Sequence, residues 1–139
     1  YKREMADIKS LNYAFALREM PAVRAAGGDD LIYYTPEFGV SESSRSNLFY
    51  VKDGVIHTPT DHILEGITRK KVIELASFVY EVRVGACSLE DFMNADEVFT
   101  TGSTKRVLPI FSIDGKQMGD GKRGEVTERL YGMLLGSEA

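Results

Sequence analysis

A single acid at position 42 is the first feature of the chain that suggests chemistry. Glu42 lies in the run VSESSRSN, and Asn47 follows it five places later, directly before two segments rich in β-forming residues. Glutamate is disfavoured in strands and is costly to bury without a partner. An exposed turn residue or a helix-capping carboxylate is therefore the ordinary interpretation of Glu42. If Glu42 is buried instead, it needs a partner from elsewhere.

Two other stretches combine glycine with hydroxyl residues in a way that suits an anion. The run LEGITR, residues 64–69, lies where a loop becomes a helix, and free N–H groups at a helix start attract phosphate. The run TTGSTKR, residues 100–106, follows a strand and can form a backbone anion nest. Simpler interpretations stay open, because Thr68 can be an ordinary N-cap, Ile67 a core residue and residues 100–106 a polar loop.

The elements that would position these residues alternate between helices and strands. Asp53-Gly54 between two β-rich segments predicts a hairpin of residues 47–52 and 55–58. Helices are predicted over 11–26, 66–78, 88–94 and 123–135, and further strands over 31–35, 79–84, 97–101 and 107–113. Ser88 with Asp91 indicates a capped start for the short helix 88–94. Because a hairpin is present, the sheet cannot be purely parallel, and an α+β fold is expected.

Composition narrows the class of protein. The 139 residues suffice for one domain with a core, and the net charge of −4 argues against a nucleic-acid binder. No apolar run approaches the length of a membrane helix, and no metal site is predicted. A single cysteine, Cys87, cannot form an internal disulfide, which favours the cytoplasm. Because the chain begins with Tyr1, we expect it to be a piece of a longer protein.

Two further residues with reactive side chains receive structural interpretations. Nothing in the sequence places His57 near the chemistry, so it is expected to be a surface or loop residue. Cys87 is expected to be a small buried hydrophobe.

Four segments together resemble the class IV aminotransferases. These are DIKSLNY (7–13), the run from Glu42 through LEGITR, ADEVFTTGSTKRVLPIFSIDGK (95–116) and DGKRGEVTERLY (120–131). They occur in the order typical of the branched-chain and D-amino acid aminotransferases and of their relative aminodeoxychorismate lyase. The resemblance therefore covers nearly the whole chain.

This resemblance implies a fold and an organisation. Residues 1–139 would form the C-terminal cofactor-binding domain, a pseudo-barrel of mixed strands with flanking helices, as in fold type IV pyridoxal-phosphate enzymes. The first strand of that domain and the whole N-terminal domain would be missing from the chain. A homodimer is implied as well, and the isolated chain is expected to be inactive because the N-terminal domain supplies part of the site.

The resemblance also implies roles around pyridoxal 5′-phosphate. Lys9 would form the Schiff base with the cofactor and move the substrate's α-proton. Glu42 would pair with the ring nitrogen, with Asn47 supporting the Glu42 segment. Tyr13 falls where some members place a hydroxyl on the cofactor's ring oxygen.

The remaining implied residues surround the ring face, the phosphate and the substrate. Leu64 would pack on the ring, while Ile67, Thr68 and Ser103 would bind the phosphate. Gly102 and Thr104 would serve the substrate carboxylate. The expected reaction is transamination between an amino acid, of the branched-chain or D-amino acid class, and a 2-oxo acid. The alternatives are pyruvate elimination by a lyase and a silent fragment that carries half a site.

Overall fold

A computed structural model of the chain describes most of the residues from position 30 onward. The described residues are 21, 24–25, 30–35, 39–43, 46–60, 63, 66–103 and 106–138. The strands are β1 (Ile32–Thr35), β2 (Gly39–Ser43), β3 (Asn47–Lys52), β4 (Val55–Thr58), β5 (Glu81–Val84), β6 (Glu97–Gly102), β7 (Arg106–Ile110), β8 (Ser112–Ile113) and β9 (Lys116–Gln117). The helices with described bounds are α1 (Ile67–Ala76), α2 (Leu89–Met93) and α3 (Glu125–Glu138).

Strand β3 is the centre of a seven-stranded mixed sheet. It pairs antiparallel with β2, β4 and β6, while β1 extends the sheet beyond β2 and β7 extends it beyond β6. Strand β5 pairs parallel with β4. Strands β8 and β9 form a separate hairpin. The expected α+β fold with a mixed sheet is thus present.

Two apolar clusters hold the sheet in place. The first contains Phe49 and Phe99, whose rings stack with centroids 4.9 Å apart, and it includes residues of α1 and α3. The second contains Leu48, Phe92 of α2 and Cys87, and it includes Ile113 of β8. Each fully buried phenylalanine contributes about 2–3 kcal/mol through apolar burial. The prediction that Cys87 is a small buried hydrophobe is confirmed, and burial raises the pKa of its thiol to about 12.

The predicted hairpin of β3 and β4 is confirmed. Asp53 and Gly54 have φ angles of 51° and 77°, as a two-residue turn with the right-handed strand twist requires. The short helix is confirmed too, because Ser88 and Asp91 form a reciprocal capping box at its start.

Other boundaries differ from the predictions. Residues 79–80 lie in the turn that follows α1 rather than in a strand, because their backbone N–H groups both donate to the Ala76 carbonyl. The predicted strand 107–113 is divided, since Ser112–Ile113 pairs with β9 around the Asp114-Gly115 turn. The closing helix spans Glu125–Glu138 instead of 123–135.

One strand, β2, was not predicted. Its sequence GVSES is poor in β-forming residues, so pairing with β1 and β3 rather than local propensity decides its conformation. The predicted helix 11–26 lies mostly outside the described residues, although residues 21, 24 and 25 are helical. Within the described part of the chain, no helix has the length and apolarity to cross a bilayer.

Candidate functional site

A row of three buried polar side chains crosses the sheet at one end. Asn47 of β3 pairs in register with Glu42 of β2 on one side and with Thr101 of β6 on the other. Directly opposed residues of antiparallel strands point to the same face. Glu42 is 4% exposed, Asn47 is 5% and Thr101 is 1%. Glu42 is therefore neither an exposed turn residue nor a helix cap.

The amide of Asn47 joins this row to the start of α1. Its Nδ2 donates to Glu42 Oε2 at 3.3 Å, and its Oδ1 accepts from the Gly66 backbone N–H at 3.2 Å. The expected support of the Glu42 segment by Asn47 is confirmed. Gly66 is needed for this approach, because a Cβ at that position would lie 2.8 Å from Asn47 Oδ1.

The start of α1 is open. Gly66 is its N-cap, no side chain among the described residues caps the helix, and its first turn contains no acid. Ile67 is 88% exposed and Thr68 is half-buried, so the interpretations of Ile67 as core and Thr68 as N-cap are wrong. Buried Arg69 donates from Nη2 to the Pro59 carbonyl at 3.0 Å, which ties the helix to the segment after β4.

The turn between β6 and β7 begins beside the same row. Gly102 ends β6 directly after Thr101, and exposed Ser103 follows in the turn. Among the described residues, the Thr101 hydroxyl has no hydrogen-bond partner. A buried hydroxyl without a partner costs free energy, which points to a group that satisfies it when the site is filled. At the other end of the turn, Arg106 Nε donates to Glu138 Oε2 of α3 at 2.8 Å.

The predicted residues are thus partly brought together. Glu42 is joined through Asn47 to Gly66, which directly precedes Ile67 and Thr68, while Gly102 and Ser103 follow the Thr101 end of the row. Four predicted residues lie outside the described part of the chain: Lys9, Tyr13, Leu64 and Thr104. The roles of all of them stay predictions.

Thr101 is the residue that sequence reasoning missed. In the sequence it is one of several hydroxyl residues in the run 100–106, and nothing there sets it apart. The available signal was its place as the last hydroxyl before Gly102, but a strand position hides which face a side chain occupies until the register is known.

A different cavity of about 360 Å³ holds none of the predicted site residues. It is lined by Tyr50, Lys52, Asp53, Val55, His57, Arg83, Asp91 and Asn94. The expectation that His57 is a surface or loop residue is wrong, because it lies half-buried in β4 and its ring stacks on that of Tyr50 at 4.4 Å. Burial, followed by the charge of Arg83, lowers the pKa of His57, and burial raises the pKa of Tyr50 to about 12. The stacked pair thus has a phenol whose pKa is raised and an imidazole whose pKa is lowered, and in both cases burial is the largest cause.

The site combines a buried acid with the positive end of a helix and a free hydroxyl. Such an arrangement suits a ligand with a proton-bearing group at one end and an anion at the other. The sequence model of the amino-transferase class IV family matches residues 1–113. The chain therefore belongs to the class IV aminotransferase family, as the resemblance in the sequence indicated.

Individual relatives agree with this assignment. The chain is 39% identical over 128 residues to the branched-chain-amino-acid aminotransferase of Salmonella typhimurium, covering 90% of this chain and 41% of that protein. A crystal structure of the T.th. branched-chain amino acid aminotransferase with pyridoxamine 5′-phosphate matches 90% of this chain and 41% of its own, with 42% identity and a TM-score of 0.81.

A lyase also shares the fold. The structure of a putative 4-amino-4-deoxychorismate lyase from Legionella pneumophila matches 92% of this chain and 48% of its own, with 27% identity and a TM-score of 0.83. The expected α+β architecture with a mixed sheet and flanking helices is confirmed by these matches. In each case the chain spans less than half of the relative's length.

Proposed function

We propose that the chain is the C-terminal, cofactor-binding domain of a pyridoxal-phosphate-dependent aminotransferase that acts on branched-chain amino acids and 2-oxo acids. The single observation that carries this proposal is the double contact of Asn47. One amide links a buried acid to the start of α1, which supports placing the two features in one site.

Pyridoxal phosphate fits the two ends of this site. Its ring nitrogen can hold a proton that a carboxylate accepts, and its phosphate is an anion that a helix start binds. Glu42 would take the first group, and the backbone N–H groups of Ile67 and Thr68 would take the second. The Thr101 hydroxyl, which has no partner among the described residues, is a further donor on the same face.

The protein's own residues would divide the work around the cofactor. When bound, pyridoxal phosphate supplies an electron sink for the substrate carbon that loses its proton. The Glu42 carboxylate would hold the proton on the ring nitrogen, because burial at 4% exposure keeps water from competing for it. Lys9 would anchor the cofactor through its amine and carry the proton from the substrate α-carbon.

The other predicted residues would bind and orient. Ser103 would add a hydroxyl to the phosphate from the turn after β6, and Leu64 would cover the ring face. Tyr13 would place its hydroxyl on the cofactor's ring oxygen. Gly102 and Thr104 would receive the substrate carboxylate, where the absence of a side chain at position 102 leaves room.

The rest of the site would come from outside the chain. Since the chain spans 41% of its Salmonella relative, we propose that an N-terminal domain completes the pocket and that the whole protein is a cytoplasmic homodimer. The 139-residue chain by itself would then be inactive.

Cofactor attachment tests the proposal in the full-length protein. We expect the visible absorbance band of bound pyridoxal phosphate, and we expect Lys9→Ala to abolish it. Lys52→Ala is the matched control, because Lys52 is exposed and lies 3.5 Å from Asp96 in an ordinary surface pair. A band that persists in Lys9→Ala would remove Lys9 from its role, and a full-length protein without any band would refute the cofactor.

Substrate tests separate the transaminase from the lyase. With leucine, isoleucine or valine and 2-oxoglutarate, we expect amino-group transfer that is faster than with D-alanine. The branched-chain enzymes among the relatives support this expectation. Release of pyruvate from aminodeoxychorismate without amino-group transfer would favour the lyase instead.

A further inference from the structure

Asn47 lies between Glu42 and the start of α1, the two halves of the proposed site, and it contacts both. We propose that Asn47 is a positioning residue that couples the acid at Glu42 to anion binding at the start of α1. The identity of the ligand rests on the proposed function, whereas the coupling rests on the geometry of the described residues.

The chemistry of an amide explains why asparagine suits this position. Its Nδ2 is a donor and faces the Glu42 carboxylate, while its Oδ1 is an acceptor and faces the Gly66 N–H. Only this orientation satisfies both neighbours, so the contacts themselves fix the orientation of the side chain. An aspartate could satisfy only the N–H group, and an apolar side chain of similar size could satisfy neither.

The backbone of Asn47 is held as firmly as its side chain. Residue 47 is paired in register with β2 on one side and with β6 on the other, and it is 5% exposed. Because its backbone is fixed, the Asn47 amide cannot move toward Glu42 without weakening its contact with the Gly66 N–H, or the reverse. Hydrogen bonds in such a chain also polarise one another, so a stronger contact at one end strengthens the other.

Gly66 offers a way to disturb one end alone. Its φ of −75° is ordinary for any residue, so alanine introduces no backbone strain there. The added Cβ would lie 2.8 Å from Asn47 Oδ1 and would push the amide. Among the described residues, Asn47 Oδ1 is the contact of this Cβ, so we expect an effect of Gly66→Ala at the acid to be transmitted by that side chain.

The experiment compares Gly66→Ala, Asn47→Leu and the double variant in the full-length protein. The first readout is the pH midpoint of the absorbance band of bound pyridoxal phosphate. This midpoint follows the proton on the nitrogen that joins the cofactor to the lysine, and it shifts when the charge at the conjugated ring nitrogen changes. We expect both single variants to move this midpoint in the same direction by about 0.5–1 pH unit, and the double variant to move it no further.

The second readout is the dissociation constant for inorganic phosphate in the cofactor-free protein. We expect each single variant and the double variant to weaken phosphate binding by a similar factor, about three- to tenfold. Thr58→Val is the control for lost stability. It removes a buried hydroxyl that donates to the Leu48 carbonyl at 2.7 Å, and it should change neither readout.

Two results would overturn the coupling. The first is a pH midpoint that shifts in Asn47→Leu but stays unchanged in Gly66→Ala, which would show that the two ends act independently. Additive effects in the double variant would show the same. If the protein binds no pyridoxal phosphate at all, the proposed function fails, and the three phosphate affinities still decide the coupling. Should Asn47→Leu not fold, Asn47→Ala removes the same two contacts.

Discussion

Two helices of this domain begin directly after a glycine that packs against a polar side chain from the sheet, yet their first turns differ. At α3, the Glu97 carboxylate of β6 accepts from the backbone N–H groups of Val126 and Thr127 at 3.2 and 2.9 Å. It also accepts from the Thr127 hydroxyl at 2.7 Å. At α1, none of the side chains that the structure describes caps the helix, and no acid lies in the first turn.

We interpret the difference between the two first turns as that between a structural helix start at α3 and the proposed anion site at α1. The protein satisfies the N–H groups of α3 with its own carboxylate and adds Glu125 and Glu128 in the first turn, which favours the helix dipole. At α1 the amide of Asn47 lies beside Gly66, and the first turn contains no acid. This contrast supports the proposal that the start of α1 binds an anion.

The largest expected effect is at Gly124, which precedes α3. A Cβ there would lie 2.0 Å from Glu97 Cδ, so Gly124→Ala must displace the carboxylate that caps the helix. We expect a loss of about 3 kcal/mol in the free energy of unfolding, from overpacking and the lost cap. Chemical denaturation measures this loss.

Gly132→Ala is the matched control in the same helix. Nothing lies within 4 Å of its added Cβ, so this substitution should stabilise α3 by about 0.5–1 kcal/mol. Equal losses in the two variants would contradict the role of Glu97 as a cap.

A smaller loss is expected for Glu97→Gln. Glutamine keeps the shape but loses the charge and one acceptor oxygen, so we expect a loss of about 1–2 kcal/mol in unfolding free energy. The affinity for pyridoxal phosphate should not change, since Glu97 serves α3 and not α1. If Glu97→Gln unfolds like the parent but binds the cofactor poorly, Glu97 would serve cofactor binding and not the cap of α3.

The two buried threonines next to these sites give a paired test. Both are 1% exposed, but Thr127 donates to Glu97, whereas the Thr101 hydroxyl has no partner among the described residues. Thr127→Val should cost about 1 kcal/mol of unfolding free energy. Thr101→Val should leave the cofactor-free protein as stable as the parent or more so.

Cofactor titration completes the threonine comparison. We expect Thr101→Val to weaken pyridoxal phosphate binding by about tenfold, the worth of one hydrogen bond to a charged group. Thr101→Ser should restore it. Unchanged binding in Thr101→Val would mean that this hydroxyl faces no ligand.

The smallest expected effect on stability comes from an acid added to α1. Ile67→Asp places a charge in the open first turn and should raise the unfolding free energy of the cofactor-free protein by about 0.5 kcal/mol. The same charge should weaken phosphate binding several-fold through repulsion. Glu125→Gln at α3 is the opposite change, and it should lower stability by a similar amount without affecting phosphate. Stronger phosphate binding in Ile67→Asp would rule out the start of α1 as the anion site.

Sequence patterns predicted the parts of the fold that local chemistry decides. The Asp53-Gly54 turn and the Ser88–Asp91 capping box each depend on residues within a few positions, and both are present. Strand β2 was missed because GVSES has little strand propensity and is held by its neighbours. The sequence predicts one strand over 107–113, whereas the structure has β7 and β8 on either side of Phe111. Two short strands and one long strand have the same apolar pattern, so periodicity does not distinguish them.

The candidate site was predictable in its residue types but not in its connections. Glu42, Asn47 and Gly66 were each noted from the sequence. The contact that joins them spans 19 residues between Asn47 and Gly66, and no periodicity encodes such a pairing. Thr101 could not be placed, because the register of β3 against β6 decides which face its hydroxyl occupies.

The most direct test is a crystal structure of the full-length protein with pyridoxal 5′-phosphate. We predict that the phosphate contacts the backbone N–H groups of Ile67 and Thr68 and that the ring nitrogen lies within hydrogen-bond distance of the Glu42 carboxylate. The account would be contradicted if the cofactor is bound elsewhere. In that case Glu42 would contact Asn47 but not the cofactor, and no anion would lie at the first turn of α1.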